Sequence, residues 1–144
     1  MVSVSEKVVT SRIAVAKCRV RFSNSIAIKL VRENQNKKGD VIGVARVAGI
    51  MAAKATPNLI PLCHPIPISH ASIDMEIQGE DAMQITATVT YDGKTGVEME
   101  ALMAASTAGL TVYDMCKAVD KGMIIDGLQV VRKDGGKSGN WTAE

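Results

Sequence analysis

Residues 71–91 read ASIDMEIQGEDAMQITATVTY. In the first half Ile73, Met75 and Ile77 alternate with Ser72, Asp74, Glu76 and Gln78. In the second half Met83, Ile85, Ala87, Val89 and Tyr91 alternate with Gln84, Thr86, Thr88 and Thr90. An apolar residue at every second position marks a strand with one buried and one wetter face. The intervening GEDA supplies a turn, so the stretch predicts a β-hairpin. A one-sided antiparallel sheet needs something apolar laid on its dry face.

Upstream, IAVAKCRVRF (13–22) sets Ala14, Ala16, Cys18, Val20 and Phe22 against a face ending in Lys17, Arg19 and Arg21, which predicts a third strand. SNSIAIKLVREN (23–34) puts Ile26, Leu30 and Val31 on one helical side, with Ser23 or Ser25 as cap. After NKKGD (36–40), Asp40 caps a helix predicted over 41–54, which should stop near Pro57. Its small residues Gly43, Ala45, Ala48, Gly49 and Ala52 imply close packing on a neighbour. Downstream, GVEMEALMAASTAGLTVYDMCKAVDKG predicts a long helix over about 97–121, ending at Gly122. MIIDGLQVVRK (123–133) reads as a last strand interrupted by Gly127, and the polar, glycine-rich 134–144 as a flexible tail. Strand, two helices, two strands, helix, strand is an α+β order. It predicts a ferredoxin-like sandwich: an antiparallel sheet with helices on one face and one extra helix after the first strand. One catalytic domain is expected over 1–144. Such a fold hosts many activities, so function has to come from the site.

Composition narrows the classes. Hydrophobic residues make up 47% of 144 residues, yet only Phe22, Tyr91, Tyr113 and Trp141 are aromatic. An apolar excess of this kind in a small domain is expected to be covered in part by another subunit. A net charge of +2 gives no strong field for nucleic acid, and four aromatics make no base-stacking surface. Cys18, Cys63 and Cys116 form no paired-ligand spacing and are odd in number, as in reduced thiols of a cytoplasmic compartment. The first residues hold no uninterrupted apolar run of signal-peptide type. Residues 55–73 lack Asp, Glu, Lys and Arg, but their four prolines and two histidines argue against a membrane span. A soluble protein is expected.

All four prolines fall in PNLIPLCHPIPI (57–68), around Cys63 and His64. Proline fixes φ and removes a donor, so the stretch reads as neither helix nor central strand. It is either a rigid apolar connector or a stiff arm that presents His64 and Cys63 to a ligand. DGGKSGN (134–140) is no P-loop, since Val131 stands where the first glycine belongs. Lys137 and the tail amides closing over an anion, and a plain disordered tail, remain equal readings. Asp114 and Lys117 share a helical face, either as a surface ion pair or as a proton-transfer couple in a partly dry setting. Glu98 and Glu100 suit the helix N-terminus electrostatically, and equally suit hydrogen-bond donors of a nucleobase or sugar. NKKGD is a basic turn or a phosphate contact.

Taken together, KKGD, ARVAGIMAAK, LIPLCHP, KTGVEMEAL, LTVYDMCKAVDK and GGKSG closely resemble the cyclic pyranopterin monophosphate synthases, the molybdenum cofactor biosynthesis protein C family. The resemblance covers essentially the whole chain from Val2. Ser3 stands where that family usually has Asp. The resemblance implies an enzyme that rearranges a cyclised dihydroguanosine triphosphate supplied by a radical-SAM GTP cyclase. A cyclic phosphate closes and pyrophosphate leaves. Asp114 matches the family's active-site Asp and Lys117 its companion lysine. Leu62, Cys63 and His64 match the substrate-binding LCH, and Met99 with Glu100 the second binding segment. Arg12, Lys38, Glu98, Lys133 and Lys137 match further polar positions of the pocket. The implied assembly is a hexamer built as a trimer of dimers, with sites at subunit interfaces. No resident metal is implied; the only cofactor left open is Mg²⁺ travelling with the triphosphate.

Overall fold

The alternating stretches form one antiparallel sheet in the computed structural model, which describes residues 1–144. Its strands are β1 (Thr10–Arg21), β2 (His70–Gln78), β3 (Ala82–Gly93), β4 (Ile124–Asp134) and the short β5 (Trp141–Thr142). They lie in the order β2-β3-β1-β4-β5. The hairpin reads as expected: β2 and β3 pair without a break from His70↔Thr90 to Gln78↔Ala82. β4 runs along β1 with two register shifts, one between Arg132 and Val130 and one between Gln129 and Asp126, the second containing Gly127. β5 folds residues 141–142 back onto Arg132 and Lys133.

One face of the sheet is dry. Ala14, Ala16, Cys18 and Val20 of β1 stand opposite Val89, Ala87, Ile85 and Met83 of β3, and all eight are buried. Each large aliphatic side chain so enclosed contributes roughly 1.5–3 kcal/mol. Helix α3 (Glu98–Cys116) lies across β1, β3 and β4 on this face, and α2 (Val41–Leu59) packs beside α3 and over β2. The small residues of α2 serve the close approach: a Cβ on Gly49 would collide with Ile73 and the Ala104 carbonyl. Cys18 Sγ donates to the Ala105 carbonyl at 3.2 Å, tying α3 to the sheet. The opposite face carries Lys17, Arg19 and Arg21, exposed. The fold is therefore α+β, a five-stranded open antiparallel sheet with three helices, and its order is compatible with the ferredoxin-like arrangement. No helix is long and apolar enough to cross a membrane.

Three local expectations are corrected. The cap of α1 (Ser25–Arg32) is Asn24, whose Oδ1 accepts from the Ile26 amide at 2.9 Å; Ser23 is engaged elsewhere. Helix α2 continues past residue 54 to Leu59, with Pro57 in its last turn. There proline forfeits only one helical bond, and the buried Ala52, Ala53 and Thr56 hold the turn against the core. The Thr56 hydroxyl donates back to the Ala52 carbonyl at 3.0 Å, and the extended arm begins only after Ile60. Helix α3 stops at Cys116 and not at 121; beyond it the amides of Val119 and Asp120 both bond the Cys116 carbonyl, at 3.0 and 3.1 Å, in a final turn. Asp40 caps α2 as expected, accepting from the Gly43 amide at 2.9 Å.

Candidate active site

Helix α3 carries candidate site residues at both ends. At its C-terminal end Asp114 Oδ1 lies 2.9 Å from Lys117 Nζ, and Asp114 Oδ2 lies 3.5 Å from Lys38 Nζ. Lys38 reaches in from the loop before α2 and also donates to the Asp114 carbonyl at 2.9 Å. The hydrogen bond and charge of Lys117, with those of Lys38 behind them, hold the Asp114 carboxyl below its ordinary range. It is an ionised carboxylate between two ammonium groups. Of the two readings of this pair, the single chain shows the surface ion pair and not the partly dry setting: the Asp114 side chain is 60% exposed and that of Lys117 52%. As a surface pair, the two stabilise the fold little.

The N-terminal end of α3 is built differently. A cleft of about 960 Å³ opens between the chain's first residues, β1, the start of α3 and the turn after β4, and Arg12, Glu98, Lys133 and Lys137 all line it. Arg12 is only 6% exposed. Its Nε donates to the Gly93 carbonyl at 3.2 Å, and no carboxylate pairs with it. An enclosed guanidinium without a counter-charge is costly, and an arriving anion would relieve that cost. Lys133 Nζ lies 3.4 Å from Glu98 Oε1 and donates to Ser138 Oγ at 2.9 Å. The GGKSG turn is held against this cleft by the Gly136 amide, which donates to Thr10 Oγ1 at 3.2 Å. A side chain on Gly136 would collide with Arg12 Nη1.

Two residues further along α3, Glu100 is 3% exposed. Burial, reinforced by the charge of Glu98, outweighs a backbone hydrogen bond and pushes its carboxyl up. Cys63 of the proline arm feels Glu100 in turn: burial and then that charge raise its thiol. Cys63 and His64 are half-buried, Leu62 is exposed and Met99 is half-buried. The structure therefore brings Arg12, Glu98, Lys133 and Lys137 into one cleft. Leu62, Cys63, His64, Met99 and Glu100 do not line it, Glu100 standing two residues beyond Glu98 on α3 and Cys63 within reach of its charge. Lys38, Asp114 and Lys117 form a second group. The two groups do not meet within one chain: Glu100 and Asp114 are fourteen residues apart on α3, about 21 Å along its axis.

Sequence reasoning missed Thr10 and Ser138 as cleft residues, and it missed the contact of Lys38 with Asp114. Ser138 sits inside the GGKSG motif, which was the available signal. Thr10 and the Lys38 contact depend on chain crossings that no local spacing encodes.

The family model described as the MoaC family matches residues 1–136 of the chain. The cyclic pyranopterin monophosphate synthase of a Jannaschia species is 57% identical over 144 residues, covering 99% of this chain and 88% of that protein. The proteins of the same name from Desulforamulus reducens and Thermomicrobium roseum are each 53% identical, over all of this chain and 87% of theirs.

Proposed function

Because the chain belongs to the MoaC family, we propose that it acts as a cyclic pyranopterin monophosphate synthase in molybdenum cofactor biosynthesis. It converts (8S)-3′,8-cyclo-7,8-dihydroguanosine 5′-triphosphate to cyclic pyranopterin monophosphate and releases pyrophosphate. The cleft supplies the binding half. Arg12, Lys133 and Lys137 offer cationic donors for the triphosphate, where forked and charge-assisted hydrogen bonds are strong. Glu98 and Glu100 offer acceptors for the N–H edge of the guanine-derived ring, and Leu62, Cys63, His64 and Met99 form the stiff apolar wall beside it. The GGKSG turn closes over the phosphates from the tail.

The second group supplies proton transfer. Opening and re-closing the purine-derived rings moves protons, and cyclic phosphate formation takes a proton from the attacking sugar hydroxyl as pyrophosphate departs. Asp114, held ionised, is an acceptor. Lys117 carries a proton within hydrogen-bond reach of it, and Lys38 stands on its other side.

The observation that carries this reading further is the separation of the two groups. They sit at opposite ends of one 19-residue helix, too far apart to touch one reacting centre. A composite site reconciles them: the Asp114 end of one protomer completes the cleft of its partner across a two-fold interface, giving two equivalent sites per dimer. Exposed Val44, Val47 and Met51 form an apolar stripe along α2, and Leu110 is exposed on α3, as expected of surfaces covered by other copies. A hexamer assembled as a trimer of dimers, acting in the cytoplasm downstream of a radical-SAM GTP cyclase, extends the same reading.

The test mixes two inactive chains, His64→Ala and Lys117→Ala. Wild type should release one pyrophosphate per cyclised nucleotide, and neither variant alone should do so. Subunit exchange should then restore part of the activity, because some sites draw His64 and Lys117 from intact chains. A mixed oligomer, verified by mass spectrometry, that stays inactive rules out this division of the site.

A further inference from the structure

Asp120 belongs to neither half of the site, yet it is 3% exposed and thus among the most enclosed charged side chains of the protein. Its Oδ2 accepts from the Ser23 amide at 2.8 Å. Its Oδ1 accepts from the Ser23 hydroxyl at 2.5 Å and from the Gly122 amide at 2.9 Å. Two neighbours tighten the same segment. The Asn24 amide group donates to the Val119 carbonyl at 3.1 Å, and the Tyr113 hydroxyl donates to the Lys121 carbonyl at 3.1 Å. On the upstream side the Val119 and Asp120 amides close on the Cys116 carbonyl. Residues 117–122 are therefore clamped between the end of α3 and the junction of β1 with α1.

Lys117 opens that clamped segment as the residue that ends α3, with φ −61° and ψ −20°. Its side chain is half exposed, and its Nζ is tethered only to Asp114. No wall of side chains holds a lysine in that setting, so the place of its ammonium depends on the backbone beneath it. That backbone is fixed one way by α3 and the other way by Asp120. We infer that Asp120 is a positioning residue for Lys117: through Ser23 and Gly122 its carboxylate sets where the lysine stands when the substrate arrives. The inference rests on the catalytic reading of Lys117 given above. It also accounts for why the helix ends at Cys116: the chain leaves the helical path to deliver Asp120 to Ser23.

The experiment compares the full-length oligomeric enzyme with Asp120→Asn and Ser23→Ala. The first keeps the shape but replaces an acceptor with a donor facing Ser23. The second removes only the hydroxyl bond. Steady-state pyrophosphate release is measured well below each melting temperature and normalised to folded protein. The ¹³Cε resonance of Lys117, assigned by its loss in Lys117→Ala, reports on the lysine directly. Asp120→Asn should lose about tenfold or more in kcat with KM within about twofold, and the Lys117 resonance should move. Ser23→Ala should show the same pattern at about two- to fivefold. Wild-type kcat in a folded Asp120→Asn enzyme overturns the inference, as does a loss with the Lys117 resonance unmoved. Should Asp120→Asn fail to fold, Ser23→Ala decides alone: unchanged kcat and an unmoved resonance overturn it. An active Lys117→Ala enzyme would instead remove the catalytic reading of Lys117, whereas an inactive one beside a normal Asp120→Asn removes only the role of Asp120.

Discussion

The two ends of α3 are built on opposite principles. At the N-terminal end, charges are enclosed: Arg12 at 6% exposure without a carboxylate, and Glu100 at 3% with its carboxyl pushed up. At the C-terminal end, Lys38 and Lys117 stand in water on either side of the one carboxylate of Asp114. Enclosing unpaired charge works against folding, while an exposed ion pair hardly affects it. One end is therefore a preformed receptor that the rest of the fold has to stabilise. On the proposed function, the other is an exposed proton-transfer group that takes its surroundings from a partner protomer. Variants at the two ends should differ accordingly.

The largest effect is expected where stability is least involved. Lys117→Ala should lower kcat by about 10²–10⁴-fold, the range of a lost proton-transfer group. Its melting temperature should stay close to that of wild type, because the pair it leaves is exposed on both sides. Pyrophosphate release and a thermal melt check both halves. A variant that melts far lower would show that the pair is structural, and one that turns over normally would take Lys117 out of the chemistry.

Arg12→Met should act through binding. The side chain keeps most of its volume and loses its charge, so KM should rise about 10–100-fold, the worth of charged hydrogen bonds to a phosphate. Stability of the free protein should hold or rise, since an unpaired buried charge is gone. Kinetics beside denaturant unfolding test the pair of outcomes together. A drop in stability with unchanged KM would mean that Arg12 serves the fold and not the ligand.

How far the sequence foretold this contrast varies from place to place. The hairpin was legible because period-two alternation persists through residues 72–78 and 83–91 and needs no information from elsewhere. Helix ends were not. Pro57 argued locally for a stop, but burial of Ala53 and Thr56 overrode a single missing bond. Asp120 looked like one more charge on a long helix, and only its distant partner Ser23 explains why the helix ends at Cys116. The candidate residues were named through the blocks that carry the resemblance. Their division into two groups was legible in the spacing of Glu100 and Asp114 along one helix. What spacing did not carry was environment: it left Asp114 and Lys117 open between a surface pair and a partly dry couple, and they stand exposed, while nothing local marked Arg12 as enclosed.

The smallest effect is a pH signature at the enclosed end. Burial holds Glu100 above its ordinary value of 4.5 in the folded chain. Below that value the group is protonated folded and unfolded, and its ionisation opposes nothing. As pH rises from about 4.5 through the raised folded value, the unfolded chain gives up the proton more readily, and the folded state loses stability across that window. Above it the penalty is complete. Glu100→Gln has no proton to lose, so it should melt with wild type in acid and above wild type at pH 8. Each kcal/mol removed is worth roughly 2–4 °C in a chain of this size, so a gap of a few degrees is expected. Melts at several pH values, with no nucleotide present, measure it. A gap that opens with pH while activity falls would place Glu100 among the groups the fold encloses for the ligand. A gap constant with pH would mean that this end carries no buried negative charge, and the contrast with Asp114 would then rest on Arg12 alone.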